Sequence, residues 1–221
     1  LSSVLDEIFG ALPTAARVPE VPDINVTFTG ETMIVERPIS QSVVFFGHRG
    51  ITRDDPDWYA ATLLFEILAG GFGSRLTEEI REKRGLTYGI SAYPLPLDHT
   101  ALIVGGVSTV NERVVETIDL LKQIWAKFGA EGPTETEVRD AKDYVNGSYN
   151  LRFSNSGAIA GVITAIQRQD LGIDYIDRRT AIIEAIEIED LKRIAKRLFR
   201  AEDLTFVVVG KPVGLEATQP A

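Results

Sequence analysis

Two hydrogen-bond donors, Arg81 and Tyr88, lie seven residues apart in a segment that reads REKRGLTYG. The charge pattern predicts that Arg81 lies near the end of a helix and that Tyr88 lies just inside the next strand. Gly85, between them, readily adopts the left-handed conformation at which many helices end, so the chain can reverse there. A guanidinium and a neutral phenol are both donors, and together they could hold a carbonyl or a developing oxyanion. Alternatively, Arg81 is one charge on a solvated helix and Tyr88 an ordinary strand aromatic.

Other chemistries have little support among the residue types. The chain has no cysteine and two histidines, His48 and His99, which lack the i, i+4 helical spacing that brings two imidazoles to one metal. We therefore predict no metal site in this chain and ordinary turn or surface positions for both histidines. The segment 70–75 (GGFGSR) lacks the spacing of nucleotide-binding motifs, so we predict a tight turn between helices there. Neither Ser74 nor Ser91 lies in a nucleophile-elbow sequence.

The charge balance excludes further classes of partner. Among 221 residues there are 32 acidic and 23 basic side chains, which gives a net charge of -9. A field of that sign repels phosphate backbones, so we expect no nucleic-acid partner and no polybasic membrane anchor. No apolar run approaches the roughly eighteen residues of a membrane-spanning helix.

The periodicity of apolar residues predicts an α+β fold with a mostly antiparallel sheet and helices packed on one face. The predicted strands are 26–28, 33–35, 42–46, 86–94, 100–108 and 204–209, and Gly30 is the predicted turn residue of a hairpin between the first two. The predicted helices are 1–12, 55–69, 75–83, 109–131, 134–151, 156–171, 175–185 and 187–199.

Local signals refine three helix starts and one strand. Asp55–Pro56 reads as an N-cap followed by proline at the first helical position. Thr109–Glu112 and Thr134–Glu137 both have the spacing of a capping box. The strand 42–46 is almost entirely apolar, which predicts that both of its faces are covered.

Four stretches, in the same order, resemble one family of enzymes. The string GGFGSRLTEEIREKRGLTYGISAY, residues 70–93, resembles the C-terminal half of pitrilysin-type zinc peptidases, the family that includes the mitochondrial processing peptidase. The proline-threonine-glutamate helix start at 132–142, the helix at 188–195 and the last strand at 205–210 agree with the same family. The resemblance covers about residues 24–212.

The resemblance implies that this chain is the zinc-free second domain of such an enzyme and is inactive alone. Residues 1–22 would be the interdomain connector helix and linker, 23–213 the domain, and 214–221 a flexible tail. The family's H-x-x-E-H zinc motif is absent, so no catalytic residue and no cofactor belong to this chain, and zinc would sit in a partner domain or subunit. Arg81 and Tyr88 match the arginine and tyrosine that many members direct at the peptide substrate near the zinc.

The resemblance also implies a zinc-bearing N-terminal domain or subunit as partner, a peptide substrate, and a homo- or heterodimer. If the source is bacterial, a periplasmic location is favoured over a cytoplasmic one. One alternative is a structural or assembly subunit that has lost peptidase function. A second alternative is a free-standing module that binds an extended peptide at an exposed sheet edge.

Overall fold

The computed structural model describes residues 1–15, 19–216 and 218, and within them five strands form one sheet. The strands are β1 (Thr32–Glu36), β2 (Gln41–Arg49), β3 (Ile90–Pro96), β4 (Ala101–Val110) and β5 (Thr205–Gly210). They lie in the order β1-β5-β2-β4-β3, and only the β1–β5 pair is parallel. The mostly antiparallel α+β fold that the sequence predicts is therefore confirmed.

Helices fill the connections between the strands. The α-helices are α1 (Ser2–Phe9), α2 (Trp58–Ala69), α3 (Val114–Glu131), α4 (Glu135–Tyr149), α5 (Ser156–Arg168), α6 (Tyr175–Glu184) and α7 (Ile188–Leu198). A π-helix spans Thr77–Glu82, and short 3₁₀ turns span Asn111–Arg113, Asn150–Phe153 and Ala201–Asp203. None of the helices in the described ranges is long and apolar enough to cross a membrane.

One face of the sheet is covered by helices α2 and α3, and α7 packs against both of these helices. In the strands, alternate residues such as Val44, Phe46 and Phe206 point to this face and are buried. The Trp125 ring of α3 packs 5.9 Å from Phe46 and 5.1 Å from Phe199, centroid to centroid. These edge-to-face contacts join the sheet, α3 and the end of α7 into one core.

The opposite face of the sheet has no helix over it in the described part of the chain. Phe45 of β2 is 56% exposed, and Met33 of β1, in the same cross-strand row, is also exposed. The prediction that both faces of β2 are covered is therefore wrong. The strand is apolar on both sides, but all the described helices that contact the sheet do so from one side only.

The first strand region differs from the predicted hairpin. Residues 25–29 are extended but unpaired, and the strand β1 instead pairs in parallel with β5. Gly30 still has the expected left-handed conformation, with φ of 70°, and an added Cβ there would meet the carbonyl oxygen of Glu202. The turn was thus predicted correctly, and only the pairing of the two flanking segments was wrong.

Of the three helix starts, one is confirmed. Thr134 and Glu137 form a full capping box at the start of α4. Thr109 lies instead within β4, where its hydroxyl donates to the carbonyl of Leu86 at 2.6 Å, and α3 begins five residues later. The helix α2 begins at Trp58 rather than at Pro56, because the Asp55 carboxylate caps a preceding turn.

The chain ends contribute little to this core. Helix α1 has no buried residue. Part of the predicted linker, residues 16–18, and part of the predicted tail, 217 and 219–221, lie outside the described residues. Thr218 exchanges hydrogen bonds with Ile34 of β1, at 2.7 Å and 3.1 Å. The division into connector, domain and tail stays a prediction.

Candidate functional site

A tight turn after the π-helix positions Arg81 and Tyr88. Gly85 has φ of 59°, and its N–H donates to the carbonyl of Arg81 at 2.9 Å. Leu86 is buried, and its N–H donates back to the carbonyl of Ile80 at 3.0 Å. The chain therefore reverses at Gly85 as the sequence predicts, although Tyr88 lies two residues before β3 rather than inside the strand.

The residue before Tyr88 anchors the loop. The Thr87 hydroxyl donates to the carbonyl of Ser108 in β4 at 2.7 Å, and Thr87 is buried. Tyr88, by contrast, is 90% exposed, and its phenol makes no hydrogen bond to any described residue. A fixed backbone thus presents a free phenolic donor at one end of the sheet.

Arg81 has a different neighbour from the one predicted. Its guanidinium lies over the ring of Phe72, 5.1 Å from the centroid, and 3.4 Å from the Glu82 carboxylate. Between the described side chains of Arg81 and Tyr88 there is no hydrogen bond, ion pair or ring contact. The turn at Gly85 lies between them in the chain; Tyr88 is exposed, whereas the Arg81 side chain keeps only 33% of its surface exposed.

Sequence reasoning missed the ion pair that supports this region. Arg75 Nε lies 2.6 Å from Glu137 Oε1, and Arg75 Nη2 donates to Glu137 Oε2 at 2.7 Å. Arg75 also donates to the carbonyl of Gly132 at 3.1 Å and lies over the Phe128 ring at 4.7 Å. The two residues are 62 positions apart, so no local pattern predicts their contact. The one signal in the sequence is that both lie in stretches that resemble the peptidase family.

The charge of Glu137 is stabilised by this pair. Burial by itself would raise the pKa of the carboxyl, but hydrogen bonds from Arg75 and Thr134 outweigh it and lower the pKa to about 2. Side chains of Arg75 and Glu137 keep 21% and 29% of their surface exposed. The bidentate geometry ties the start of the π-helix to the start of α4, and thereby holds the turn that carries Arg81.

His48 is a buried core residue and not the turn or surface histidine that was predicted. The Trp125 indole N–H donates to its Nε2 at 3.2 Å, which leaves Nδ1 to donate to the carbonyl of Arg49 at 2.8 Å. Burial lowers the pKa of His48. Both ring nitrogens are therefore engaged, and the ring is held neutral.

The described residues contain no group of three or more histidine, aspartate or glutamate side chains that could hold a metal ion. His99 is more exposed than His48 and lies 3.3 Å from the Asp23 carboxylate. That pair alone supplies too few ligands for zinc, which takes at least three from protein at a catalytic site.

A polar cleft of about 890 Å³ lies at the end of the sheet remote from Tyr88, where β2 ends and β4 begins. Its lining includes five arginines and five aspartates: Arg49, Arg53, Arg168, Arg197, Arg200, Asp23, Asp54, Asp55, Asp98 and Asp203. Opposite charges are matched there, for example between Arg168 and Asp98 at 2.7 Å and between Arg197 and Asp55 at 2.7 Å. The cleft thus holds as many arginines as aspartates, and some of them form ion pairs.

Comparison with known proteins identifies what this chain is similar to. A sequence profile of the family described as "Peptidase M16 inactive domain" matches residues 1–145. The non-peptidase homologue YmxG of Helicobacter pylori is 27% identical over 193 residues, which cover 86% of this chain and 44% of that protein. An uncharacterized zinc protease of Streptomyces coelicolor is 26% identical, and the matched region covers 85% of this chain and 41% of that protein. The chain therefore spans less than half of these relatives.

Solved structures agree on the fold. The crystal structure of a peptidase M16 inactive domain from Pseudomonas fluorescens superposes with a TM-score of 0.85 at 28% identity, over 99% of this chain and 52% of that one. A chain of complex III2 from Candida albicans superposes with a TM-score of 0.76 at 17% identity, covering 95% of this chain and 52% of that one. At that lower identity, the likeness concerns the fold alone.

Proposed function

This chain belongs to the peptidase M16 inactive-domain family, and from that membership we propose that it forms one half of a peptide chamber in a zinc peptidase. The other half would be a zinc-bearing catalytic domain or subunit. The proposal is supported by the open sheet face with its exposed Phe45 and Met33, which offers an apolar wall.

The contact with substrate is assigned to Arg81 and Tyr88, and the observation that carries this assignment is the exposure of Tyr88. Its ring is 90% exposed, yet the backbone beside it is fixed by Thr87 and by the turn at Gly85. A phenol that is exposed on a fixed backbone is available to a ligand without any change in the fold. Its phenol can donate to a peptide carbonyl, and the Arg81 guanidinium can neutralise charge that develops there.

Zinc in the partner would activate water and polarise the scissile carbonyl. No residue of this chain takes part in that step through the metal. The chain's own task would be to orient the peptide with donors at Arg81 and Tyr88 and to exclude water with the open sheet face. Alone, it should cleave nothing.

The test uses the assembled enzyme, meaning the full-length protein or this chain with its zinc-bearing partner. Replacing Tyr88→Phe removes one donor and keeps the ring, so we expect kcat/KM for a fluorogenic peptide to fall roughly 100-fold, as for other oxyanion donors. Arg81→Met should have an effect of similar size. The far-UV circular dichroism of both variants should match that of the wild type, because neither side chain contributes to the core.

Matched controls come from α4. Tyr144→Phe and Arg139→Met alter a tyrosine and an arginine that are also exposed but lie on another surface. Both should retain wild-type turnover. Wild-type turnover by Tyr88→Phe and Arg81→Met would show that the pair does not contact substrate.

A structural or assembly subunit without peptidase function is the second candidate, and one relative favours it. The Helicobacter pylori protein that shares 27% identity is named a non-peptidase homologue. The two candidates differ in the rest of the gene or in an adjacent gene. An H-x-x-E-H motif there supports the peptidase, and its absence from both supports the assembly subunit.

The dimeric state and the compartment are parts of the same proposal. We expect the complete protein to form a homo- or heterodimer, which light scattering after size-exclusion chromatography would measure. For a bacterial source we favour the periplasm, and fractionation of cells against periplasmic and cytoplasmic markers would test that location.

A further inference from the structure

A second cleft, of about 630 Å³, lies beneath helix α5. Its apolar wall is formed by side chains of α5 and its neighbours, namely Val162, Ala165, Ile166, Leu171 and Ile183. Its other lining is aromatic: Trp58, Tyr59, Tyr149 and Tyr175. Helix α5 itself has no buried residue, so it covers the cleft loosely. The volume falls within the range of small-molecule sites.

Three arginines line this cleft, and no aspartate or glutamate does. Arg179 is only 8% exposed, and its guanidinium lies 4.1 Å from the centroid of the Tyr149 ring. Arg152 lies over the same ring at 5.8 Å. Arg53, which also borders the polar cleft, stacks on Trp58 and donates to the Tyr59 hydroxyl at 3.1 Å.

None of the three arginines forms an ion pair with a described carboxylate, and every aspartate and glutamate of the chain is among the described residues. Arg179 makes only two long hydrogen bonds, of 3.4 Å and 3.5 Å, to the carbonyl of Val145 and to Asn146. This is unusual in a chain with 32 acidic and 23 basic side chains. A buried charge is costly unless it is paired, so an anion bound in the cleft would stabilise Arg179.

We propose that this cleft binds a single-chain amphiphile with an anionic head, such as a fatty acid. The apolar chain lies along α5 against Val162 and Ile166, and the acid head contacts Arg179 with Arg53 and Arg152 nearby. Neither Arg81 nor Tyr88 lines the cleft, so this site does not depend on the proposed function. The aromatic rings provide flat walls that accept a methylene chain without specific hydrogen bonds.

The experiment titrates the 221-residue chain with dodecanoate, below its micelle concentration, by calorimetry and by tryptophan fluorescence. Of the two tryptophans, Trp58 lines the cleft and Trp125 is fully buried in the core, so the fluorescence change should disappear in Trp58→Phe. We expect saturable binding of one molecule per chain. Dodecanol, which has no charge, and acetate, which has no chain, should each bind at least tenfold more weakly.

Two substitutions test separately the contact of the acid head and the fit of the apolar chain of the ligand. Arg179→Met should weaken dodecanoate binding at least tenfold, because one charge-assisted contact is lost. Arg178→Met is its matched control, since Arg178 is exposed and paired with Asp174 at 2.7 Å, and it should bind as the wild type does. Gly161→Leu should fill the cleft and weaken binding too, while Gly147→Leu, at an equally open helical position outside the cleft, should not.

Several results would overturn the proposal. Equal binding of dodecanol and dodecanoate would remove the role of the arginines. Unchanged affinity in both Arg179→Met and Gly161→Leu would move the binding elsewhere and leave Arg179 as a structural link between α6 and α4. Tighter binding of an apolar peptide through its C-terminal carboxylate would make the ligand a peptide.

Discussion

Two arginines of this protein lie against aromatic rings beside opposite ends of α2, and they differ in one respect. Arg75, just after the helix, lies over Phe128 and forms a bidentate pair with Glu137. Arg179, in the cleft that reaches the first turn of the helix, lies over Tyr149 and forms no ion pair with any described carboxylate. The ring contact is the same, and the neutralising partner is present in one place only.

This difference separates a structural arginine from a ligand-binding one. A guanidinium whose charge is matched within the chain holds elements together and needs nothing further. A guanidinium that is buried without a counter-charge lowers the stability of the empty protein and recovers that cost only when an anion binds. Substituting Arg75 and Arg179 separately tests this difference.

Among the substitutions of charged residues, the largest effect is expected from Arg75→Met. Removing one partner of a largely buried pair leaves Glu137 uncompensated, so the free energy of unfolding should fall by about 3 kcal/mol. Arg179→Met should instead leave it within about 1 kcal/mol of the wild type or raise it, because it removes an unmatched charge. Urea denaturation followed by tryptophan fluorescence measures both. Equal losses from the two variants would contradict the comparison, and Arg113→Met, in an exposed pair with Glu116, serves as the surface control.

The pH dependence of the Glu137 pair is the next largest effect. The pKa of Glu137 lies at about 2 in the folded chain and near 4.5 when unpaired, so its stabilisation is present above pH 4.5. It is lost as the pH falls from 4.5 towards 2, since the carboxyl then binds its proton more readily in the unfolded chain. Because 29% of the side chain is exposed, solvent screening limits the loss to about 2 kcal/mol.

Glu137→Gln should remove most of that dependence, as measured by urea denaturation at a series of pH values. Glu135→Gln, in the same first turn but without an ion pair, should retain it. If both variants kept the wild-type profile, another carboxylate would be responsible for the acid sensitivity.

His48 is a buried titratable side chain, and it differs from both arginines because it avoids an unmatched charge by staying neutral. Its folded pKa lies below the ordinary 6.5, so the unfolded chain binds the proton more readily. The stabilisation is full above pH 6.5 and falls as the pH drops below 6.5, and urea denaturation at a series of pH values measures the step. His48→Gln should abolish this step and His99→Gln should retain it; a step that disappears in His99→Gln instead would assign it to the exposed histidine.

The smallest effect is expected from Phe72→Ala. Phe72 is largely exposed and its ring only supports the Arg81 guanidinium, so the free energy of unfolding should change by no more than about 0.5 kcal/mol. Phe128→Ala, under the paired Arg75, should cost about 4 kcal/mol because it empties a fully buried position. Similar losses from the two variants would mean that Phe72 is part of the core.

Much of the fold could be predicted from local patterns. Runs of apolar, strand-forming residues predicted β2, β4 and β5, and the Thr134–Glu137 spacing predicted a capping box that the structure contains. Thr109 has the same spacing to Glu112, yet it lies within β4, because strand pairing with β2 continues through that position. A capping signal thus decides a helix start only where no strand partner competes for the same residues.

The candidate site was predictable in position but not in geometry. Gly85 indicated the reversal that brings Arg81 and Tyr88 to one turn, and the backbone there confirms it. That Arg81 lies over Phe72, and that Tyr88 stands alone, depends on side-chain packing that spacing does not encode. Their contact with a peptide stays a prediction.

The sequence by itself determined the class of fold, the turn at Gly85 and the family resemblance, because these depend on residue type and on short spacings. The tertiary structure alone decided which residues meet across long separations. Arg75 pairs with Glu137, which is 62 positions away in the sequence. Arg179 pairs with no described acidic side chain, although acidic residues outnumber basic ones in the chain. Local patterns set the faces that each element presents, but the three-dimensional packing sets which charges are neutralised and which remain for a ligand.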